Sequence, residues 1–528
     1  MGRLRVPNDA CPPTRVRIRF SALPAKVGGG MSLALQASAA VVIVLIGVLI
    51  FSRAKKRERT LRSFFWADQE LSAWQAAMLM LATSLSLNGL LYQSWLGYKV
   101  GIYSAVIQIF WCAGFILLYF RADRFFELTK DTIHGQFHAT YGKTAGVVAA
   151  IASTAGFASL AGWELSIAAS LLRSSFHIPK NQTIYLLLLF AFIPALYTLR
   201  GGLRGNVRIN IFLNLLACIG IVALIIHLLY QYNAAGMFPL TSSEITSRSK
   251  LSIGDAITAL GGAAIISNLL FSFFWQTADM NMWENSSGAG DNKNKLKTTL
   301  LFGAVLIFFA PGVVGAILGI TVQHIEKVNE SNLLEILINE TARSPLYGTI
   351  LYACLIAVML STLDGLFLSG SLSFAADVVY PAKARKLIRS GTFDAEDKIV
   401  ETKILSIAYI AILAMAIIGS LLFLLVLFDI VDLFNMVYLA VIGQMSLVPG
   451  IISIIFDNNS KWAPRRCGAC SVLLALGGSW LLVILAVLNV GPFGAGVLNW
   501  MPMITIALGT LGLLVPNNFF GGPKVAKP

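Results

Sequence analysis

The chain has 528 residues, 57% of them hydrophobic and only 12% charged, with a formal net charge of +14. A soluble domain carries about 25% charged residues, so this composition excludes a soluble globular enzyme and indicates an all-α, multi-span integral membrane protein. The basic excess falls in loops between apolar runs, where it encodes membrane topology and does not point to nucleic acid as a partner.

Residues 1–30 contain Arg3, Arg5, Arg15, Arg17, Arg19 and Lys26, with Pro and Gly but no apolar core of a secretory signal. They read as a disordered basic extension, with Met31 as the working start. About thirteen spans follow, at 31–52, 71–96, 102–120, 145–172, 183–198, 209–232, 253–283, 298–321, 345–380, 404–428, 430–456, 470–490 and 493–515. Most reach the roughly 20 residues that cross a bilayer. The transporter domain is thus 31–516, and 517–528 is a cytoplasmic tail. Lys99, Arg173, Lys180, Arg248, Lys250, Lys327 and Arg343 fall in one alternate set of loops. All other basic residues beyond position 30 gather in 53–62, 121–143, 200–208, 285–297, 383–403, 461–466 and the tail. That asymmetry places the N-terminus outside and the C-terminus inside, in the plasma membrane, as in a bacterial inner membrane. The segment 325–341 reads as an amphipathic helix over the outer face. Cys467-Gly-Ala-Cys470 is a lone C-x-x-C without the second cysteine or histidine pair a metal site needs. The six cysteines are too scattered for a disulfide framework.

Two spans read as interrupted. The second carries Thr83, Ser84, Ser86, Asn88 and Gly89 at its centre; the seventh carries Gly261-Gly262, Ser267, Asn268 and Gln276. Interruptions at corresponding positions of two halves mark discontinuous helices, whose free carbonyls and amide ends bind ion and solute at the midplane. Repeat one would then span 71–232 and repeat two 253–456, each of five helices. The ninth span carries Ser361-Thr362 with Asp364, and the Val358 carbonyl shares their helix face. Three such oxygens suit a hard cation and not zinc or copper. Equally, each hydroxyl can bond back to the Ala357 or Val358 carbonyl. Buried acids stand at Glu164, Asp279, Asp429 and Asp432, with Glu164 either a proton relay or a backbone partner. Trp163 and Phe271–Trp275 are candidate pocket aromatics or packing groups. No nucleophile–base or metal constellation supports an enzyme, and no cofactor is indicated.

Three motifs resemble the sodium/solute symporter family of sodium–glucose, proline and pantothenate carriers. They are AVMLSTLDGLFLSGSLSFAADVV in the ninth span, Tyr197-Thr-Leu-Arg-Gly-Gly-Leu203, and Gly97-Tyr-Lys-Val-Gly101. The likeness covers about 35–515 and implies a leucine-transporter-like 5+5 inverted repeat. It implies sodium ligands from the carbonyls of Ala82, Leu85 and Val358 and the hydroxyls of Ser361 and Thr362. It also implies a small polar solute, such as a sugar, amino acid or carboxylate, near Ser84, Asn88, Gly89 and Phe274–Gln276, Trp163 being the further pocket residue. Two positions depart from the family pattern. Ile209-Asn210 stands where Thr-Asp enters the sixth span, on the cation's inward path, and Trp283-Glu-Asn-Ser-Ser replaces Gln-Arg and Ala-Ala-Lys. Sodium symport is the expected function, with Glu164, Asn210 and Asp364 along the ion path. The alternatives are a proton-coupled carrier and a solute sensor of the same fold.

Overall fold

The computed structural model describes residues 32–52, 60–179, 182–234, 254, 261–290, 292–322, 333–390, 395–428, 436–457, 465–488 and 495–516. The basic extension, the tail, Asp429, Asp432 and the first part of the 325–341 segment lie outside them. The described chain is helical throughout, with a single β-bridge joining Arg466 to Pro516.

Several helix starts are written in local side-chain chemistry. Ser32 caps α1 (Leu33–Phe51), and Thr60 with Ser63 forms a capping box on α2 (Leu61–Trp66). Ser72 with Gln75 does the same for α3 (Ala73–Ser84). Each such cap satisfies amide donors that a helix start leaves without partners. Ser86 then caps a separate helix, α4 (Leu87–Val100), so the second span is broken, as its polar centre predicts. The chain continues through α5 (Ala105–Phe120), the short α6 (Ala122–Leu128), α7 (Ile133–Tyr141) and the long α8 (Lys143–Phe176). The fifth and sixth predicted spans follow one another in α9 (Thr183–Ala234) as two helices that meet at Gly202, whose φ of 54° and ψ of −157° leave helical geometry.

The seventh span begins, among described residues, at α10 (Gly262–Ala278), and Gly261 precedes it with φ 79°. Helix α10 ends at Asp279, which caps α11 (Met280–Gly288), and Ser267 and Asn268 lie within continuous helix; 255–260, before the glycine pair, lie outside the described residues. The eighth span is α12 (Lys293–Ile307), a π-helical turn around Pro311, then α13 (Gly315–Thr321). The short α14 (Leu333–Thr341) is the described part of the amphipathic segment. Pro345 opens α15 (Pro345–Leu372), which runs on as π-helix to Val379. Then come α16 (Pro381–Ser390), α17 (Ala395–Leu427), α18 (Met436–Met445), α19 (Val448–Phe456), α20 (Gly468–Val487) and α21 (Met501–Leu513). Cys467 and Cys470 form a disulfide at the start of α20, a local pair that the spacing alone did not imply.

Among the described residues, eight helical stretches are long and apolar enough to cross a membrane. The most enclosed is Pro345–Val379, 89% buried, against 33% for Leu33–Phe51 and for Gly468–Val487. The ninth predicted span is therefore the axis of the molecule. The strongly basic loops meet at one end. There Arg204 binds the Ala67 carbonyl and Glu70, and Leu61 N donates to Glu401. Ser287 donates to the Thr129 carbonyl, Arg385 pairs with Asp131 and Lys293 with Asp123.

Candidate functional site

The site lies where α15 crosses the break between α3 and α4. Helix α3 stops because Leu85 leaves helical geometry (φ −85°, ψ 62°), and the hydroxyl of Ser86 accepts from Gly89 N at 2.9 Å to start α4. A Cβ at Gly89 would stand 2.8 Å from Ser86 Oγ, so glycine lets that cap close. The remaining amides at the α4 start are taken by a side chain from α8. Leu87 N donates to Glu164 Oε1 at 2.6 Å and Asn88 N to Oε2 at 3.2 Å. Glu164 is fully buried, so of the roles open to it in the sequence, backbone partner is the one seen.

On α15, Ser361 Oγ donates to the Val358 carbonyl at 2.9 Å. Thr362 Oγ1 lies 3.0 Å from the same carbonyl and 3.1 Å from the carbonyl of Ala82 on α3. The helical back-bond is therefore real, and the threonine also reaches across to the broken helix. Ala82, Val358, Ser361 and Thr362 form one oxygen cluster, with Leu85 in the unwound link beside it. Carbonyl and hydroxyl oxygens without sulfur or imidazole can hold a hard monovalent cation.

Three residues further along α15, Asp364 is buried and receives the Asn210 amide at 3.1 Å. Asn206 Nδ2 reaches the Asp364 carbonyl at 3.5 Å, and the Tyr197 hydroxyl donates to the Leu360 carbonyl at 2.9 Å. Asn210 and Asp364 are thus a pair, whereas Glu164 is engaged elsewhere. The sequence did not single out a second polar run, which ties α3, α11 and α15 together. Thr83 Oγ1 lies 3.2 Å from Asn281 Oδ1, and Asn281 Nδ2 donates to Ser369 Oγ at 3.1 Å. Ser369 donates to Glu284 at 2.5 Å, and Asn285 donates to Asn281 at 2.7 Å. Thr83, read as part of the second span's interruption, and the departure at Trp283–Ser287 pointed toward it.

The candidate solute residues divide. Asn88 accepts from Ser86 Oγ at 2.6 Å and, with Gly89, belongs to the cap. Among the described residues, Ser84 Oγ and Trp163 Nε1 are buried without hydrogen-bond partners. So are both amide atoms of the fully buried Gln276, whose Cγ packs against Gly114 of α5. Phe274 meets Phe273 edge-on at 4.9 Å. Among the described residues, no hydrogen bond joins Gln276 to Ser84 or Asn88.

No family model and no curated protein matches the chain. Solved structures do. A sodium-coupled sialic acid symporter, substrate-bound and outward-open, aligns over 94% of this chain and 100% of its own, with TM-score 0.66 and 16% identity. MhsT in complex with L-phenylalanine covers 84% of this chain and 98% of its own (TM-score 0.41, 14% identity). The manganese transporter of Eremococcus coleocola covers 88% and 89% (TM-score 0.45, 16% identity). The chain has the fold of the sialic acid symporter.

Proposed function

We propose that this protein is a secondary active transporter of the sodium/solute symporter type, coupling inward sodium movement to uptake of a small polar organic solute. The observation that carries this reading is the contact between the ninth span and the broken second span. There Thr362 Oγ1 lies 3.1 Å from the Ala82 carbonyl, next to Ser361 and Val358. A cation held by these oxygens and by the Leu85 carbonyl would fasten α3 to α15 and favour one arrangement of the two elements. Solute would then close the outer path. Opening inward would release the cation past Asp364, further along α15, and Asn210 of α9, whose amide binds it. One charge moving through 100 mV releases about 2.3 kcal/mol, and a tenfold sodium gradient adds about 1.4 kcal/mol. Together these sustain roughly several-hundred-fold accumulation.

The fold of the sialic acid symporter supports the reading at the level of architecture. The strongly basic loops, gathered at one end, are assigned to the cytoplasm of a plasma membrane, with the N-terminus outside. A proton-coupled carrier is the nearest alternative, because Glu164 and Asp364 are buried acids in the transport core. The test is the thermal stability of the purified chain in sodium against potassium at fixed pH. Sodium-specific stabilisation is expected in the wild type and is lost when Ser361 and Thr362 are both replaced by alanine. Equal midpoints in the two salts would contradict the sodium site.

A further inference from the structure

We infer that Glu164 fills the place a solute carboxylate would take, so that the transported solute has none and is an uncharged polar molecule of sugar, polyol or amide chemistry. The inference rests on the transporter reading above and narrows its substrate. In a broken membrane helix, the amide end of the second half is the natural seat for an anionic solute group, since the free N–H groups and the helix dipole both attract it. Here that seat is occupied by the protein itself. Both Glu164 oxygens are bound by the first amides of α4, at 2.6 Å and 3.2 Å, and the residue has no exposed surface. The Ser86 hydroxyl takes the next amide, from Gly89.

The surrounding charge supports the same conclusion. Glu164, Asp279, Glu284 and Asp364 are all buried, and among the described residues none is ion-paired to a basic side chain. A solute carboxylate there would therefore have only the proposed sodium ion to balance it. The polar atoms that remain without partners among the candidate solute residues are neutral: the Gln276 amide, Ser84 Oγ and Trp163 Nε1. They offer both donors and acceptors, which suits hydroxyls and amides on an uncharged solute.

The test uses acetate as the probe on the full-length protein in sodium. Glu164→Ala frees two amides and leaves space for a small carboxylate. Acetate is expected to raise its unfolding midpoint by about 2 °C or more over chloride or acetamide. Wild type and Glu164→Gln, whose seat is filled, are expected not to respond. If Glu164→Ala is recovered poorly, the readout becomes the yield of monodisperse protein from lysates prepared in acetate, against chloride or acetamide. No gain from acetate in either measurement overturns the inference. Wild type is also screened with the matched pairs glucose–glucuronate and acetamide–acetate. Stabilisation by either carboxylate would overturn it. The sodium-against-potassium difference of wild type, read on the same plates, reports the transporter reading separately.

Discussion

Asp364 illustrates what single residues contribute and what one sequence can say about them. Its carboxylate is buried, with Asn210 Nδ2 at 3.1 Å on Oδ1 and nothing on Oδ2. Removing that donor leaves a buried acid with an unmet hydrogen bond, which costs about 1–3 kcal/mol. Asn210→Ala should therefore lower the unfolding midpoint in detergent, and Asn210→Gln should recover little because the longer amide is displaced. An unchanged midpoint for Asn210→Ala would show that this pair does not support the fold. Both residues were legible as candidates, Asp364 from the ninth span and Asn210 as a departure at the sixth. Their pairing was not, because 154 positions separate them and only the packing of α9 on α15 brings them together. Glu164 was legible as a buried acid, but its role was fixed only by its reach to Leu87 and Asn88, which no local pattern encodes. Thr362 makes the back-bond the sequence allowed, and its hydroxyl also lies near α3, a contact no local pattern encodes.

Among the elements, the breaks were the most readable features, for unequal reasons. The second span breaks where hydroxyls, Asn88 and Gly89 interrupt the apolar run, because Ser86 can cap a new start there. The seventh breaks at Asp279, whose carboxylate accepts from Asn281 N at 3.0 Å and from the Trp275 indole at 3.1 Å. Ser267 and Asn268 do not cap and stay inside α10. Ser86 caps a new helix start whereas Ser267 and Asn268 do not, so capping competence decides which polar residues interrupt a span. Packing between α4 and α13 depends on two glycines. A Cβ at Gly97 would collide with the Ala316 carbonyl, and one at Gly319 with the Ser94 carbonyl. Close backbone approach of this kind is how helices associate in a bilayer, where no hydrophobic force draws them together. Gly319→Leu should separate the pair and cost about 2 kcal/mol or more, read as a lowered midpoint or loss of monodisperse protein. Gly201, where a Cβ would meet no atom within 4 Å, is the matched control, and Gly201→Ala should behave as wild type.

At the scale of the whole molecule, the sequence indicated a multi-span helical protein and proposed a sidedness, while the structure supplied the axis. Loops assigned to one side by their basic residues do meet at one end, through Arg204–Glu70, Arg385–Asp131 and Leu61–Glu401. Cysteine introduced at the exposed Lys386 should be labelled by impermeant maleimide only from the cytoplasmic side, and cysteine at Leu346 only from outside. Labelling of both from one side would refute the assigned topology. The division between the fifth and sixth spans was legible, because Arg200-Gly-Gly reads as a connection in sequence and Gly202 is where α9 leaves helical geometry. The claim on which everything else depends is that the oxygen cluster between α3 and α15 couples sodium to solute movement. The most direct measurement is solute uptake into proteoliposomes driven by an imposed sodium gradient, comparing wild type with Ser361→Ala/Thr362→Ala. Concentrative uptake that collapses in the double variant, with its folding intact, is the expected result. Undiminished sodium-driven uptake by that variant, or wild-type uptake that follows a proton gradient and ignores sodium, would contradict it.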